Sequence, residues 1–120
     1  GRVMGASSRA KGRRGETTAA DLLAEHDYSV FDTTCGKESC DLVAVTDGVT
    51  WAVEVKDCKV LALDTWRRQA IRQRPNGCRW MLMAHIPGTS DWLVMRQGER
   101  SVVWRMNNAT SGVTMDEEEV

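Results

Sequence analysis

The sequence predicts an α/β domain in which helices pack on a mixed β-sheet. An alanine- and leucine-rich segment comes first, followed by short apolar runs rich in β-branched residues. Two of those runs are joined by Asp47-Gly48, the strongest short-range hairpin signal a sequence offers. A second helix-patterned segment ends at Pro75-Asn76-Gly77, and more strand-like runs follow it. At 120 residues the chain has room for one core and not two. The order helix, three strands, helix, strands fits a sheet with helices packed on it.

The first helix is expected from Ser8 or Arg9 to His26, with Ser7 or Ser8 as cap and Ala19, Ala20, Leu22, Leu23 and Ala24 favouring helix. Gly12 and Gly15 weaken its first half by roughly 1 kcal/mol each. A strand from Tyr28 to Thr34 follows, then a loop from Cys35 to Ser39. The hairpin pairs Asp41–Thr46 with Val49–Lys56. The second helix spans Asp64 to Arg74, capped by Asp64 or Thr65. Arg79–His85, Trp92–Arg96 and Ser101–Met106 read as strands. Residues 1–8 read as a flexible basic arm, 9–106 as the single domain, and 107–120 as a polar and acidic tail without fixed structure. Gly1-Arg2-Val3 ahead of Met4 reads as a cloning scar. Of the five tryptophans, Trp51 and Trp80 are expected in the core, and Trp66, Trp92 or Trp104 at a subunit interface, where aromatic residues are enriched.

The formal net charge of −1 hides a segregation of charge. Arg2, Arg9, Lys11, Arg13 and Arg14 stand near the start, and Asp116, Glu117, Glu118 and Glu119 near the end. Setting those four acids aside leaves 16 basic residues against 13 acidic ones. A basic arm on a mildly basic body suits a polyanionic partner; the plainer reading is a solvated arm with no partner. No apolar run is long enough to span a bilayer, and no signal-peptide core is evident, so neither membrane insertion nor secretion is expected. Cys35, Cys40, Cys58 and Cys78 form no Cys-x-x-Cys pair, and His26 and His85 lie far from them, so a zinc site is not indicated.

The hairpin carries the chemistry. With a two-residue turn, Thr46 pairs with Val49, and counting back puts Asp41 opposite Glu54. Opposed residues share a sheet face with Cβ atoms roughly 4.5–5.5 Å apart, so these two carboxylates repel. A divalent cation with hard oxygen ligands, such as Mg²⁺, resolves the conflict. Strand alternation puts Ala52, Glu54 and Lys56 on one face, so Lys56 projects beside Glu54. The plain alternative is a half-exposed strand with a polar outer face. Glu16 adds a third acid. On a helix it lies above Ala19, Ala20 and Leu23, on the stripe that faces the sheet. A carboxylate there is costly unless paired; the alternative is a solvated position on the rim.

An Asp, a spacer of about a dozen residues, Glu-x-Lys and a Glu on the preceding helix together resemble the PD-(D/E)XK nuclease superfamily. The pattern is closest to archaeal-type Holliday-junction resolvases. Lys11-Gly12-Arg13-Arg14-Gly15-Glu16 is similar to their helix signature, Asp41–Val45 to their second strand and Glu54-Val55-Lys56 to their third. Cys40 stands where many members carry Pro. Thr34, Lys37 and Ser39 are candidates for the loop position those resolvases fill with serine.

The resemblance implies a restriction-endonuclease-like mixed sheet flanked by helices, in the order α-β-β-β-α-β-β. It implies catalysis by Glu16, Asp41, Glu54 and Lys56. Mg²⁺, with Mn²⁺ able to substitute, would be held by Asp41, Glu54, the Val55 carbonyl and Glu16, directly or through water. The metal would lower the pKa of a bound water and polarise the phosphate, while Lys56 orients the water or stabilises charge on phosphorus. Gln69 lies near the position where related nucleases place a glutamine; a solvated helix face is the alternative. Arg9, Lys11, Arg13, Arg14, Lys37, Lys59, Arg67, Arg68 and Arg72 are the expected DNA contacts. The implied substrate is branched double-stranded DNA, above all a four-way junction. Symmetric nicks imply a homodimer. The expected location is cytoplasmic, with nucleoid or viral DNA. Cleavage of flaps, forks or duplex, and a non-catalytic nucleic-acid-binding module, are the alternatives.

Overall fold

The computed structural model describes residues 15–32, 40–106 and 115–119. Helix α1 covers residues 15–25. It leads into β1 (Ser29–Asp32), β2 (Leu42–Thr46), β3 (Val49–Lys56), α2 (Leu63–Gln73), β4 (Arg79–His85), β5 (Asp91–Arg96), β6 (Val102–Met106) and β7 (Met115–Glu119). The strands form one seven-stranded sheet in chain order. Neighbours are antiparallel except β3 and β4, which run parallel. A parallel pair needs a crossover, and α2 supplies it. The fold is therefore the expected α/β class with a mixed sheet.

Several details depart from expectation. Four strands follow α2, where the sequence reads as three and the resemblance implies two. The acidic segment, expected to lack fixed structure, contributes β7, which pairs along the exposed edge of β6 from Val102↔Glu119 to Met106↔Met115. A strand edge presents unpaired backbone groups that another extended segment can satisfy. The expected Asp64 or Thr65 cap is also not what forms. Ala62 occupies the N-cap position with no side-chain cap bond, and Asp64 sits inside the first turn. Its carboxylate accepts instead from Arg67 at 3.0 Å and Arg68 at 2.7 Å. The C-terminus of α2 behaves as read, because Arg74 is extended (φ −65°, ψ 124°) ahead of Pro75.

The two sheet faces carry separate cores. On one, Ala19, Leu22 and Leu23 of α1 pack on Leu42, Ala44, Trp51, Val53, Met81 and Met83. On the other, Trp66 of α2 packs on Leu82 and Ala84, with Leu63, Trp80 and Met95 around them. Trp66, Trp92 and Trp104 are buried within this one chain, so the expected interface role is corrected for all three. Trp80, expected in the core, is half-buried at the edge of the α2 cluster. The β2–β3 turn has positive φ at both central residues, Asp47 (51°) and Gly48 (76°). That is the primed turn whose twist matches a hairpin.

Candidate functional site

The β2–β3 register follows the count from the turn: Thr46↔Val49 through Leu42↔Val53. The ladder then departs from expectation by one step. The Asp41 N–H donates to the Val53 carbonyl at 3.0 Å, although Val53 is already the partner of Leu42. Two consecutive residues thus share one partner, which makes a β-bulge. Asp41 is therefore not a regular strand residue squarely opposite Glu54. Its side chain turns along the sheet, and Oδ2 accepts the Val55 N–H at 2.8 Å. The Val55 C=O points to the same strand edge as its N–H, into the gap that opens where β2 has ended and β3 runs on.

The bulge keeps the two acids together. Glu54 is only 6% exposed, and it is the one charged residue among the buried described residues. Its pKa is pushed up to about 7. Burial is the main cause, followed by the Asp41 charge; a hydrogen bond with the Asp41 side chain adds to the rise, and the Lys56 charge opposes it. Glu16, half-buried in the first described turn of α1, is also raised, by burial first and then by the charges of Asp41 and Asp32. Glu16 therefore feels the charges of Asp41 and Asp32, and Glu54 those of Asp41 and Glu16.

Sequence reasoning missed Asp32. It ends β1, in register with Leu42. With Glu16, Thr17, Ala20, Val30 and Leu42 it lines a groove of about 360 Å³ beside the acids. Nine residues separate Asp32 from Leu42, so no count from a two-residue turn could have placed it.

A buried carboxyl and a half-buried one in hydrogen-bond contact can share a proton or a cation. Together with the outward Val55 carbonyl they are hard oxygen donors of the kind Mg²⁺ takes, so the residues present fit that ion. Among the described residues, no three His, Cys, Asp or Glu side chains are gathered closely enough to hold a metal by themselves.

The remaining candidates are spread more widely. In the parallel register Lys56 pairs with Ala84 and Glu54 with Leu82, on the face that α2 covers. Gln69 is half-buried on that helix. Lys59, Arg68 and Arg72 are exposed, and Arg67 is half-buried. Arg67 and Arg68 are both tied to Asp64. Arg9, Lys11, Arg13, Arg14, Thr34, Lys37 and Ser39 lie outside the described residues.

The chain matches no protein-family model, and no curated protein is significantly similar to it. Among the described residues, no helix is long and apolar enough to cross a membrane.

Proposed function

We propose that this chain is a Mg²⁺-dependent endodeoxyribonuclease of the PD-(D/E)XK type that cuts branched double-stranded DNA, with the four-way junction as its leading substrate. The observation that carries the reading is the Asp41–Glu54 pair. A buried carboxyl pushed up to about 7 beside a second carboxyl contributes nothing to a sheet, yet the bulge is built around it.

Asp41, Glu54 and the Val55 carbonyl would hold the metal, with Glu16 joining directly or through water. When bound, Mg²⁺ supplies charge neutralisation at the phosphate and a more acidic water. The chain's own groups do the rest. The Val55 N–H fixes the Asp41 carboxylate. Burial keeps Glu54 away from bulk solvent. Lys56 places a positive charge beside Glu54, where it can stabilise the charge that grows on a phosphate under attack. Exposed Lys59, Arg68 and Arg72 would add sequence-independent affinity for the backbone. Two symmetric nicks need two such sites, so the active species would be a homodimer.

The test is cleavage of a four-way junction and of linear duplex of the same sequence, with Mg²⁺, with Mn²⁺ and with EDTA. Metal-dependent cutting that favours the junction is expected. Equal rates would remove the junction preference and leave a flap, fork or duplex nuclease. If Asp41→Asn and Glu54→Gln bind Mn²⁺ as the wild type does, the catalytic reading has no basis, and a nucleic-acid-binding module remains.

A further inference from the structure

Beside the four acids lies a second polar arrangement that the proposed chemistry does not use. In the parallel β3–β4 register Lys56 pairs with Ala84, so the next residues, Asp57 and His85, come side by side at the same sheet end. His85 Nδ1 lies 3.0 Å from Asp57 Oδ1, and His85 Nε2 lies 2.6 Å from the Thr89 carbonyl. The ring is thus held through both of its nitrogens. Thr89 is itself fixed in the β4–β5 turn: its hydroxyl donates to the Ile86 carbonyl at 2.8 Å and accepts the Asp91 N–H at 2.9 Å. The imidazole also packs on Trp92, with ring centroids 5.3 Å apart. His85 therefore has little freedom, and it holds Asp57 by one oxygen.

The other side of Asp57 meets α1. Gly15 is buried there, and a Cβ added to it would lie 3.3 Å from the Asp57 Cβ and 3.6 Å from Oδ2. The helix start approaches so closely that a side chain at residue 15 would require Asp57 to give by a few tenths of an ångström. Asp57 thus stands between two adjacent site residues. Its chain neighbour Lys56 is on one side, and across the Gly15 contact is Glu16.

We propose that His85 and Asp57 form a positioning device that clamps the start of α1 to the end of β3 and so sets Glu16 against Lys56 and the Asp41–Glu54 pair. The inference rests on the nuclease reading of that site. Neither residue touches the reacting atoms; both act through Glu16 and Lys56.

The experiment uses the full chain with His85→Ala, His85→Asn, Asp57→Asn and Gly15→Ala. His85→Asn keeps a short donor toward Asp57, and Gly15→Ala pushes on the same contact from the helix side. Small misplacements of catalytic groups cost up to about 100-fold in rate, and loss of outer hydrogen-bond partners weakens metal sites by roughly 10- to 100-fold. His85→Ala and Gly15→Ala are each expected to lower kcat on the four-way junction at least about tenfold, with KM within about twofold, and to weaken Mn²⁺ binding measured by calorimetry by about tenfold. His85→Asn should recover most of both losses. Combining His85→Ala with Gly15→Ala should be no worse than the poorer single. If His85→Ala does not fold, Gly15→Ala and Asp57→Asn carry the test. An active wild type whose variants keep wild-type kcat and Mn²⁺ affinity overturns the positioning role alone. A wild type with no metal-dependent cleavage of any DNA overturns the nuclease reading and this inference together.

Discussion

The Asp41 carboxylate accepts the Val55 N–H at 2.8 Å, so a side chain takes over the sheet ladder at the point where the backbone of β2 leaves it. This bond separates two roles that one substitution would otherwise confuse. Asp41→Asn keeps an amide oxygen for Val55 and loses only the charge; Asp41→Ala also orphans a partly buried N–H. Both should abolish metal-dependent cleavage. Asp41→Ala should be less stable than Asp41→Asn by about 1–3 kcal/mol, the usual penalty for an unsatisfied buried polar group. Denaturant unfolding of the two variants measures the difference, and equal midpoints would mean that the bond does not shape the bulge.

Glu54 makes stability depend on pH in an unusual direction. Its folded-state pKa, about 7, lies above the ordinary 4.5, chiefly through burial and then through the Asp41 charge. The folded state holds the proton more tightly than the unfolded chain does. The stabilising contribution is therefore complete below about pH 4.5 and disappears as pH rises through 7, a change of roughly 3 kcal/mol. Glu54→Gln removes this slope, so it should exceed the metal-free wild type in stability at pH 8 and match it near pH 4. Mg²⁺ needs the ionised form, so it should raise the wild-type Tm more at pH 8 than at pH 5. Parallel stability curves for the two proteins would contradict this assignment.

The difference between what the chain spells out and what it conceals follows from how each contact is fixed. Asp47-Gly48 allows only a tight turn, so the pairs back to Leu42↔Val53 can be counted. Lys56 follows from alternation, and the end of α2 from Pro75. The bulge at Asp41 cannot be counted, because it lies one residue past the last regular pair. Asp32 is reached through a long connection, and Asp57 meets His85 through a parallel register set by the whole α2 crossover. Neither spacing has a local determinant. Asp64 was misread because ion pairs within its own helix compete with capping for the same carboxylate. The buried tryptophans were misassigned because no local pattern distinguishes a core aromatic from one at an interface.

Lys56 serves the site in two ways, and its variants should distinguish them. Removing its charge takes away a stabiliser of the transition state, so Lys56→Ala should cut kcat by about 10²–10³. It also takes away the one influence that lowers the Glu54 pKa. The rising limb of the residual kcat/KM profile should therefore move to higher pH in Lys56→Ala and stay in place in Lys56→Arg. A profile that keeps its position after the charge is lost would separate Lys56 from Glu54.

Asp64 restrains two of the expected DNA contacts. Its carboxyl is held below the ordinary range, first by the Arg67 hydrogen bond and then by the Arg68 charge. Asp64→Asn removes the negative charge from the arginine pair, so it should strengthen binding to junction DNA and steepen the salt dependence. Arg68→Ala should reduce the slope of log K against log salt by about 1. Fluorescence anisotropy across a salt series, using Glu54→Gln to prevent cleavage, reads both effects. An unchanged slope in Arg68→Ala would place the DNA surface elsewhere.

The hairpin turn tests whether the site depends on local or tertiary structure. Gly48 has φ 76°, and a Cβ there would meet nothing within 4 Å. Gly48→Ala therefore introduces backbone strain alone, costing about 1–2 kcal/mol. The register of β2 has a second determinant, because slipping by one residue would turn buried Leu42 and Ala44 out of the core. If the core governs register, Gly48→Ala lowers Tm by several degrees and leaves kcat unchanged well below the transition. If the turn governs it, Asp41 shifts relative to Val55 and Glu54, and kcat falls even where circular dichroism shows a folded chain. The core offers the stronger restraint, since Leu42 and Ala44 are held by α1 as well as by β3, so the first outcome is expected.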